Sequence, residues 1–345
     1  MTDEEAMARA IALARRAREW APPNPWVGAV IVAEGEVVGE GSTHAPGGPH
    51  AEVVALAEAG DRAWGATMYV TLEPCAHQGR TPPCTKAVIG AGIARVVVAA
   101  VDPDARVHGK GLAELAAAGL EVEVGLGAAA VLEELRSYAK HRLRGLPWVV
   151  AKAAITLDGK VADGEGRSKW ITSERARRRT HELRRLVQAI VVGRGTMEAD
   201  LPRLSARVGE VPAGRQPERF VLARHAPSRV SEGFTVSDEA PEAFLRQRAA
   251  EGALSVLVEG GPTLIGAFLR EGLVDELLLV MAPRLFGDPR APGWARVEPP
   301  FGLDDAPRFH LADLERLGDE LLVAWRSEES CAFVEGLVGE LSHFG

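Results

Sequence analysis

Residues 95–101 read RVVVAAV, an almost unbroken apolar and β-branched run. A strand with no polar face must be covered on both sides, so the run predicts a buried parallel strand with helices over each face. The segments around it supply those helices. Thr2 and Glu5 make a capping box ahead of a helix to about Trp20, which Pro22, Pro23 and Pro25 end. Val27–Ala33 and Val37–Gly41 flank the turn Ala33-Glu34-Gly35-Glu36 as a hairpin. Further helices are expected from near His50 to Gly60, from Pro83, over 110–118 and over 128–140, with strands at Met68–Leu72 and Leu120–Val124.

His141–Pro147 (HRLRGLP) reads as a joint, because Gly145 and Pro147 end one helix and open the apolar strand WVVAKAAIT. Beyond it the pattern predicts strands over 189–194, 219–223, 255–260, 276–282 and near 320–325, with helices over 174–186 and 262–271. Residues 203–218 and 285–310 read as loops too long to be mere connectors. Both halves alternate strands and helices, which is an α/β pattern with mostly parallel sheets. The 345 residues exceed one typical domain and fit two. The boundaries read are 1–145, 146–327 and a tail, 328–345, to which the sequence gives no role.

Charge and cysteine usage narrow the function. Residues 1–146 hold 14 Lys/Arg against 18 Asp/Glu and the remainder 26 against 30, so each half carries −4. A dedicated nucleic-acid binder has a basic excess, and neither half has one. No apolar run approaches the roughly 18 residues of a bilayer span. The acidic start MTDEEAMARA is not a signal peptide. Cys75, Cys84 and Cys331 cannot build a disulfide framework. The expectation is a cytoplasmic protein, off the membrane, whose paired cysteines serve chemistry.

His50-Ala51-Glu52 opens a helix, Glu73-Pro74-Cys75 follows a strand, and Cys84 lies nine residues beyond Cys75. One imidazole and two thiolates suit Zn²⁺ with an open fourth position, where a water would be acidified. Glu52 can reach that position without being a ligand, take the proton and pass it to a leaving amine. His77 is left out, since a fourth protein ligand would close the site.

The arrangement has the zinc-deaminase signature except that eight residues, not two, separate the cysteines. In that form it resembles the riboflavin-biosynthesis pyrimidine deaminases. The neighbouring residues agree: Asn24-Pro25-Trp26-Val27-Gly28, His44, Gly48–Glu52, and Glu73–Cys84 with His77-Gln78-Gly79-Arg80-Thr81-Pro82-Pro83 between the cysteines. The resemblance implies a cytidine-deaminase-like three-layer domain, one zinc on His50, Cys75 and Cys84, and Glu52 as the proton shuttle. Asn24 is either a turn former or an amide that reads the pyrimidine edge, and His44 either a turn residue or a substrate contact. The family pattern DPNP reads Asp102-Pro103-Asp104-Ala105 here, which adds a carboxylate.

In the second half, Lys152–Ala162 (KAAITLDGKVA) runs from a strand into a tight turn, followed by Ser168-Lys169-Trp170-Ile171-Thr172, Val192–Thr196, and Val258-Glu259-Gly260-Gly261-Pro262-Thr263. Gly260 and Gly261 let a ligand approach the backbone just where a helix offers free N–H groups to a phosphate. No GxGxxG follows the first strand, which argues against a Rossmann domain. These pieces resemble the dihydrofolate-reductase-like domain of the riboflavin-pathway reductases. The resemblance implies NADPH lined by Ala154, Trp170, Thr196, Asp200, Gly261, Pro262, Thr263 and Leu264. It implies a substrate held by Ser168, Arg184, Arg203, Arg207 and Glu259. Lys152 is a substrate contact or a proton donor, or else a surface lysine, and Trp170 is otherwise a core anchor. Most of the six arginines between Glu174 and Arg185 make a solvated face. Arg224 is a candidate partner for the 2′-phosphate of NADP by position alone.

The whole chain to about residue 326 therefore resembles the bifunctional deaminase/reductase family of riboflavin biosynthesis. The expected partners are a phosphorylated pyrimidine and further copies of the chain, with no nucleic acid. Two rivals remain at this stage: a nucleoside or nucleic-acid deaminase with an appended binding domain, and a degenerate deaminase fold acting as a zinc sensor.

Overall fold

The computed structural model describes residues 1–79, 82–209 and 211–344, with backbone only for Val211 and Pro212. Arg80 and Thr81 of the cysteine motif lie outside the described residues. The chain divides into two compact units, Met1–Arg144 with Phe333–Gly345, and Gly145–Ala332.

The first unit opens with α1 (Asp3–Ala17), whose capping box is formed by Thr2 and Glu5. Then come β1 (Gly28–Ala33), β2 (Glu36–Ser42), α2 (Ala51–Ala59), β3 (Thr67–Val70), α3 (Cys84–Gly90), β4 (Arg95–Val98), α4 (Lys110–Ala117), β5 (Glu121–Val124) and α5 (Ala128–Arg144). The sheet order is β2-β1-β3-β4-β5. β3, β4 and β5 are parallel, and β4 lies between its neighbours with Val96, Val97 and Val98 buried, as its composition demands. The hairpin makes β1 antiparallel to both β2 and β3, so the sheet is mixed rather than mostly parallel.

Glycines lay α2 directly on the hairpin. A Cβ at Gly39 or Gly41 would stand 2.2 or 2.1 Å from the carbonyl oxygens of Ala55 and Ala51. The helix that starts at His50 can approach that closely only because those side chains are absent.

The second unit contains β6 (Trp148–Ile155), α6 (Glu174–Leu186), β7 (Ala189–Gly193), α7 (Arg194–Asp200), β8 (Arg207–Val208), β9 (Val211–Pro212), β10 (Glu218–Leu222), β11 (Thr235–Ser237), α8 (Pro241–Ala250), β12 (Ser255–Glu259), α9 (Pro262–Arg270), β13 (Glu276–Met281), β14 (Phe309–Leu317) and β15 (Glu320–Ser327). α10 (Glu328–Leu341) starts here, and from Phe333 onward its residues belong to the first unit.

The eight-stranded sheet runs β11-β10-β7-β12-β6-β13-β15-β14, parallel from β11 to β13 and antiparallel at β15 and β14. Val149, Ala151, Ala153 and Ile155 of β6 face one core with Phe244, Ile265 and Phe268 of α8 and α9. Period-two alternation turns Lys152 and Ala154 to the other face, where Ala154 packs with Ala176 of α6. Among the described residues, no helix is long and apolar enough to cross a membrane.

Candidate active sites

In the first unit three elements converge at the C-terminal ends of the parallel strands. His50 is the N-cap residue of α2, Cys75 follows β3, and Cys84 is the first residue of α3. Their ligand atoms lie within 4.8 Å of one another. His50 Nδ1 stands 3.2 Å from Cys84 Sγ and 3.6 Å from Cys75 Sγ. Tetrahedral zinc with its usual bond lengths sets N and S about 3.6 Å apart, so the trio fits the ion. His77 is exposed and outside this set.

The two thiols are driven in opposite directions. Cys84 donates to Cys75, with His50 beside it, and holds the Cys75 thiol down at about 4. The bond to Cys75, burial and the charge of Glu52 push the Cys84 thiol up. A divalent cation between them would let both ionise. The bond to Cys75 raises His50 despite burial. Glu52, in the first turn of α2, is only 3% exposed, and burial raises its carboxyl against the pull of His50. A carboxyl kept protonated more readily than usual suits a group that must take and return a proton.

Glu73 was not singled out by the sequence reading. Its buried carboxylate accepts backbone N–H bonds from Asp102 (3.2 Å), Gly109 (2.9 Å), Gly111 (2.8 Å) and Leu112 (3.4 Å). It therefore buckles the segment carrying Cys75 to the loop after β4 and to the start of α4. A charged residue directly before Pro74-Cys75, at the end of an apolar strand, was the available signal.

The extra carboxylate of Asp104 is neutralised. Arg106 grips it and, with Arg142 nearby, holds it down at about 2. Asp102 beside it is buried, accepts from Tyr138 Oη at 3.1 Å, and is pushed by burial up to about 7. Between pH 4 and 7 the folded chain thus keeps a proton that the unfolded chain has lost. Stability should therefore fall as pH rises from about 4 to about 7 and level off above that. Asp102→Asn should remove that slope and stabilise the protein at pH 8 by up to about 4 kcal/mol. Unfolding midpoints of parent and variant from pH 4 to 8 check this, and parallel curves would refute it.

Asn24 is half-buried in the turn after α1, its N–H bonded to Ala21 O at 3.0 Å. His44 is exposed just beyond β2, and Thr43 N bonds Val27 O. Both therefore stand at the open end of the hairpin.

In the second unit, β12 and β6 pair with Glu259 beside Lys152. Lys152 Nζ lies 3.8 Å from Glu259 Oε1, and Arg184 of α6 grips the same carboxylate through Nη2 at 2.7 Å and Nε at 2.8 Å. The side chains are 13%, 9% and 13% exposed for Lys152, Glu259 and Arg184, so Lys152 is no surface lysine. Burial lowers Lys152, partly offset by Glu259. Burial also pushes Glu259 up, but Arg184 and Lys152 outweigh it and the net shift is downward.

His181, one helical turn before Arg184, was also missed. Its Nδ1 lies 2.9 Å from the Ser205 carbonyl, which Arg184 Nη1 also reaches at 3.2 Å. Arg207 joins through Nε to Ser205 Oγ at 3.3 Å. Arg203 is exposed, and no bond ties its side chain to this cluster among the described residues.

Of the expected cofactor residues, Thr196 and residues 261–264 meet at the ends of β7 and β12, while Ala154 lies on β6 beside Ala176. Gly261 (φ 85°) lies against Thr196, whose Oγ1 would be 2.9 Å from an added Cβ. Leu264 borders Gly193, and Pro262 and Thr263 open α9. Asp200 accepts from Ser168 Oγ at 3.3 Å and pairs with Lys169 at 3.5 Å. Trp170 is 62% exposed, with the Arg177 guanidinium 4.5 Å over its ring, so it is not a core anchor. Arg224 is exposed just past β10.

Residues 147–323 match the family described as RibD C-terminal domain, and residues 1–100 the cytidine and deoxycytidylate deaminase zinc-binding region. The riboflavin biosynthesis protein RibD of Aquifex aeolicus is 36% identical over 94% of this chain and 98% of its own length. That of Escherichia coli is 39% identical over 93% and 98%. The chain belongs to the RibD family. Among solved structures, Acinetobacter baumannii RibD is 35% identical with a TM-score of 0.88, covering 94% of this chain and 98% of that one. The Thermotoga maritima diaminohydroxyphosphoribosylaminopyrimidine deaminase/5-amino-6-(5-phosphoribosylamino)uracil reductase is 33% identical with a TM-score of 0.82 and the same coverage. As a RibD protein the chain is a bifunctional deaminase and reductase of riboflavin biosynthesis acting on a small pyrimidine compound. Its cytidine-deaminase-like half is a zinc-binding domain, and its dihydrofolate-reductase-like half carries the reductase.

Proposed function

We propose that the first unit hydrolytically deaminates 2,5-diamino-6-(5-phosphoribosylamino)pyrimidin-4-one. The second unit then reduces the ribosyl group of 5-amino-6-(5-phosphoribosylamino)uracil to ribityl. The observation that supports this best is the pairing of a His50–Cys75–Cys84 trio and buried Glu52 with a separate buried Lys152–Glu259–Arg184 cluster in one chain. Zinc on the trio would supply an acidified water as the nucleophile. Glu52 holds the transferred proton and delivers it to the departing amine. Asn24 and His44 read the pyrimidine edge by hydrogen bonds.

In the second unit NADPH would supply the hydride. Lys152 and Arg184 give two cations against the one carboxylate of Glu259, a buried excess of +1 matched to an anionic substrate. Arg184, Arg207 and Ser168 hold the phosphorylated end, with Arg203 at its exposed margin. Lys152, whose proton is loosened by burial, donates it to the substrate as the hydride arrives. Ala154, Trp170, Thr196, Asp200 and residues 261–264 line the cofactor. The domains performing the two reactions are residues 1–145 and 146–327, and the enzyme works in the cytoplasm as a homo-oligomer.

Ammonia release and NADPH oxidation with the pathway pyrimidine, set against cytidine and single-stranded nucleic acid, test the reading. Release from cytidine alone would replace it. Lys152→Met keeps the stem and leaves the Arg184–Glu259 pair intact. Reduction should fall by about 10²- to 10⁴-fold while ammonia release continues. Reduction at the parent rate would remove Lys152 from the chemistry.

A further inference from the structure

The end of the chain makes contacts that neither reaction, as described, uses. From Phe333, α10 lies in the first unit, with Val334, Leu337 and Leu341 buried at helical spacing. At its end the Leu341 carbonyl accepts a hydrogen bond from Val101 N at 2.9 Å. Three residues on, the Phe344 ring covers Gly109, where an added Cβ would stand 3.4 Å from it.

Val101 and Gly109 are the two ends of the loop that follows β4. That loop leaves the sheet beside the segment that carries Cys75, because β4 and β3 are parallel neighbours. In open α/β sheets the space beyond the carboxyl ends of adjacent strands is where ligands sit. Glu73 ties the loop from the other side, through Asp102 N and Gly109 N, and lies two residues before Cys75. Each end of the loop is thus held twice, once from the Cys75 segment and once from the chain's last residues.

We propose that Leu341–Phe344 is a positioning element of the deaminase. These residues fix loop 101–109 as a wall of the pyrimidine site. A reaction whose metal ligands and proton shuttle lie before residue 85 therefore depends on the end of the chain, beyond the whole reductase segment. This rests on the deaminase reading given above. Besides the loop, the Ser342 carbonyl lies against Gly125 just after β5. Among the described residues none of the four bonds His50, Glu52, Cys75 or Cys84, so their effect on deamination runs through the loop.

The test uses the full chain and three variants: a stop after Gly339, Phe344→Ala and Phe333→Ala. Phe333 packs under Arg144 rather than against the loop, 4.6 Å from its guanidinium, and serves as a control for general helix packing. Zinc content, kcat and KM for ammonia release, and NADPH oxidation with the deaminated substrate are measured for each. The stop variant should keep its zinc and reduce at the parent rate, while kcat/KM for deamination falls about a hundredfold, the scale of a misplaced substrate wall. Phe344→Ala should lose about tenfold by the same route, and Phe333→Ala should stay near the parent. Parent-like deamination in the stop variant overturns the proposal, and so does an equal loss in Phe333→Ala. If the stop variant loses zinc or unfolds, Phe344→Ala decides: a tenfold loss upholds the proposal and parent behaviour overturns it. A full-length enzyme releasing no ammonia from the pyrimidine would instead refute the deaminase reading itself.

Discussion

Glu52→Gln is expected to leave one zinc per chain and to lower deamination by about 10²- to 10⁴-fold, the range for removing a general acid/base. Gln matches Glu in size, so a side chain only 3% exposed can be exchanged without opening a cavity beneath α2. The three ligand atoms belong to other residues, and nothing in their geometry needs a charge at position 52. What disappears is the capacity to carry a proton, which burial tunes by raising the Glu52 carboxyl. Reduction of separately supplied deaminated substrate should proceed at the parent rate, because Lys152, Glu259 and Arg184 belong to the other compact unit. Metal analysis and two separate rate assays decide it. Deamination within a few-fold of the parent would remove Glu52 from the proton path, and a matching loss of reduction would mean one shared site.

The deaminase ligands were readable in the sequence because each is announced locally. His50 opens a helix, Cys75 ends a strand segment and Cys84 follows two prolines, so spacing and element type already point them together. Glu73 was not readable in the same way. Its partners, Asp102, Gly109, Gly111 and Leu112, lie 29 to 39 residues away, and only the parallel pairing of β3 and β4 brings them near.

The strands of the second sheet were legible wherever they are buried, as β7 and β12 are. β14 was missed because an edge strand, exposed along most of Phe309–Leu317, has no alternation to read. α8 was missed because its buried face includes Arg248 beside Phe244 and Leu245, which blurs the apolar stripe. Gly336 and Gly339 likewise disguised α10. Trp170 is ambiguous in the sequence for a different reason. An aromatic at that position suits a core equally well from sequence, and only its exposure under Arg177 separates the two readings.

Cys84→Ser is expected to empty the zinc site and abolish deamination, with reduction unaffected. A hydroxyl has almost the volume of a thiol, so the first turn of α3, where Cys84 is fully buried, should persist. Its oxygen does not ionise in the range where a thiolate does, and zinc would lose one of the two negative charges that balance it. Among the described residues His50, Cys75 and Cys84 are the one group with metal-ligand spacing, and Cys331 lies in the other compact unit. The remaining thiol changes too. Cys84 is the donor that holds Cys75 at about 4, and although a serine hydroxyl can donate in its place, His50 and Cys75 alone offer only two ligands. Zinc per chain should therefore fall from about one to near zero under dialysis that leaves the parent loaded, since three protein ligands leave no spare. Cys331→Ser, treated identically, should retain its metal and both activities. Full zinc in the Cys84 variant would require a ligand set other than this trio and would overturn the assignment of the site.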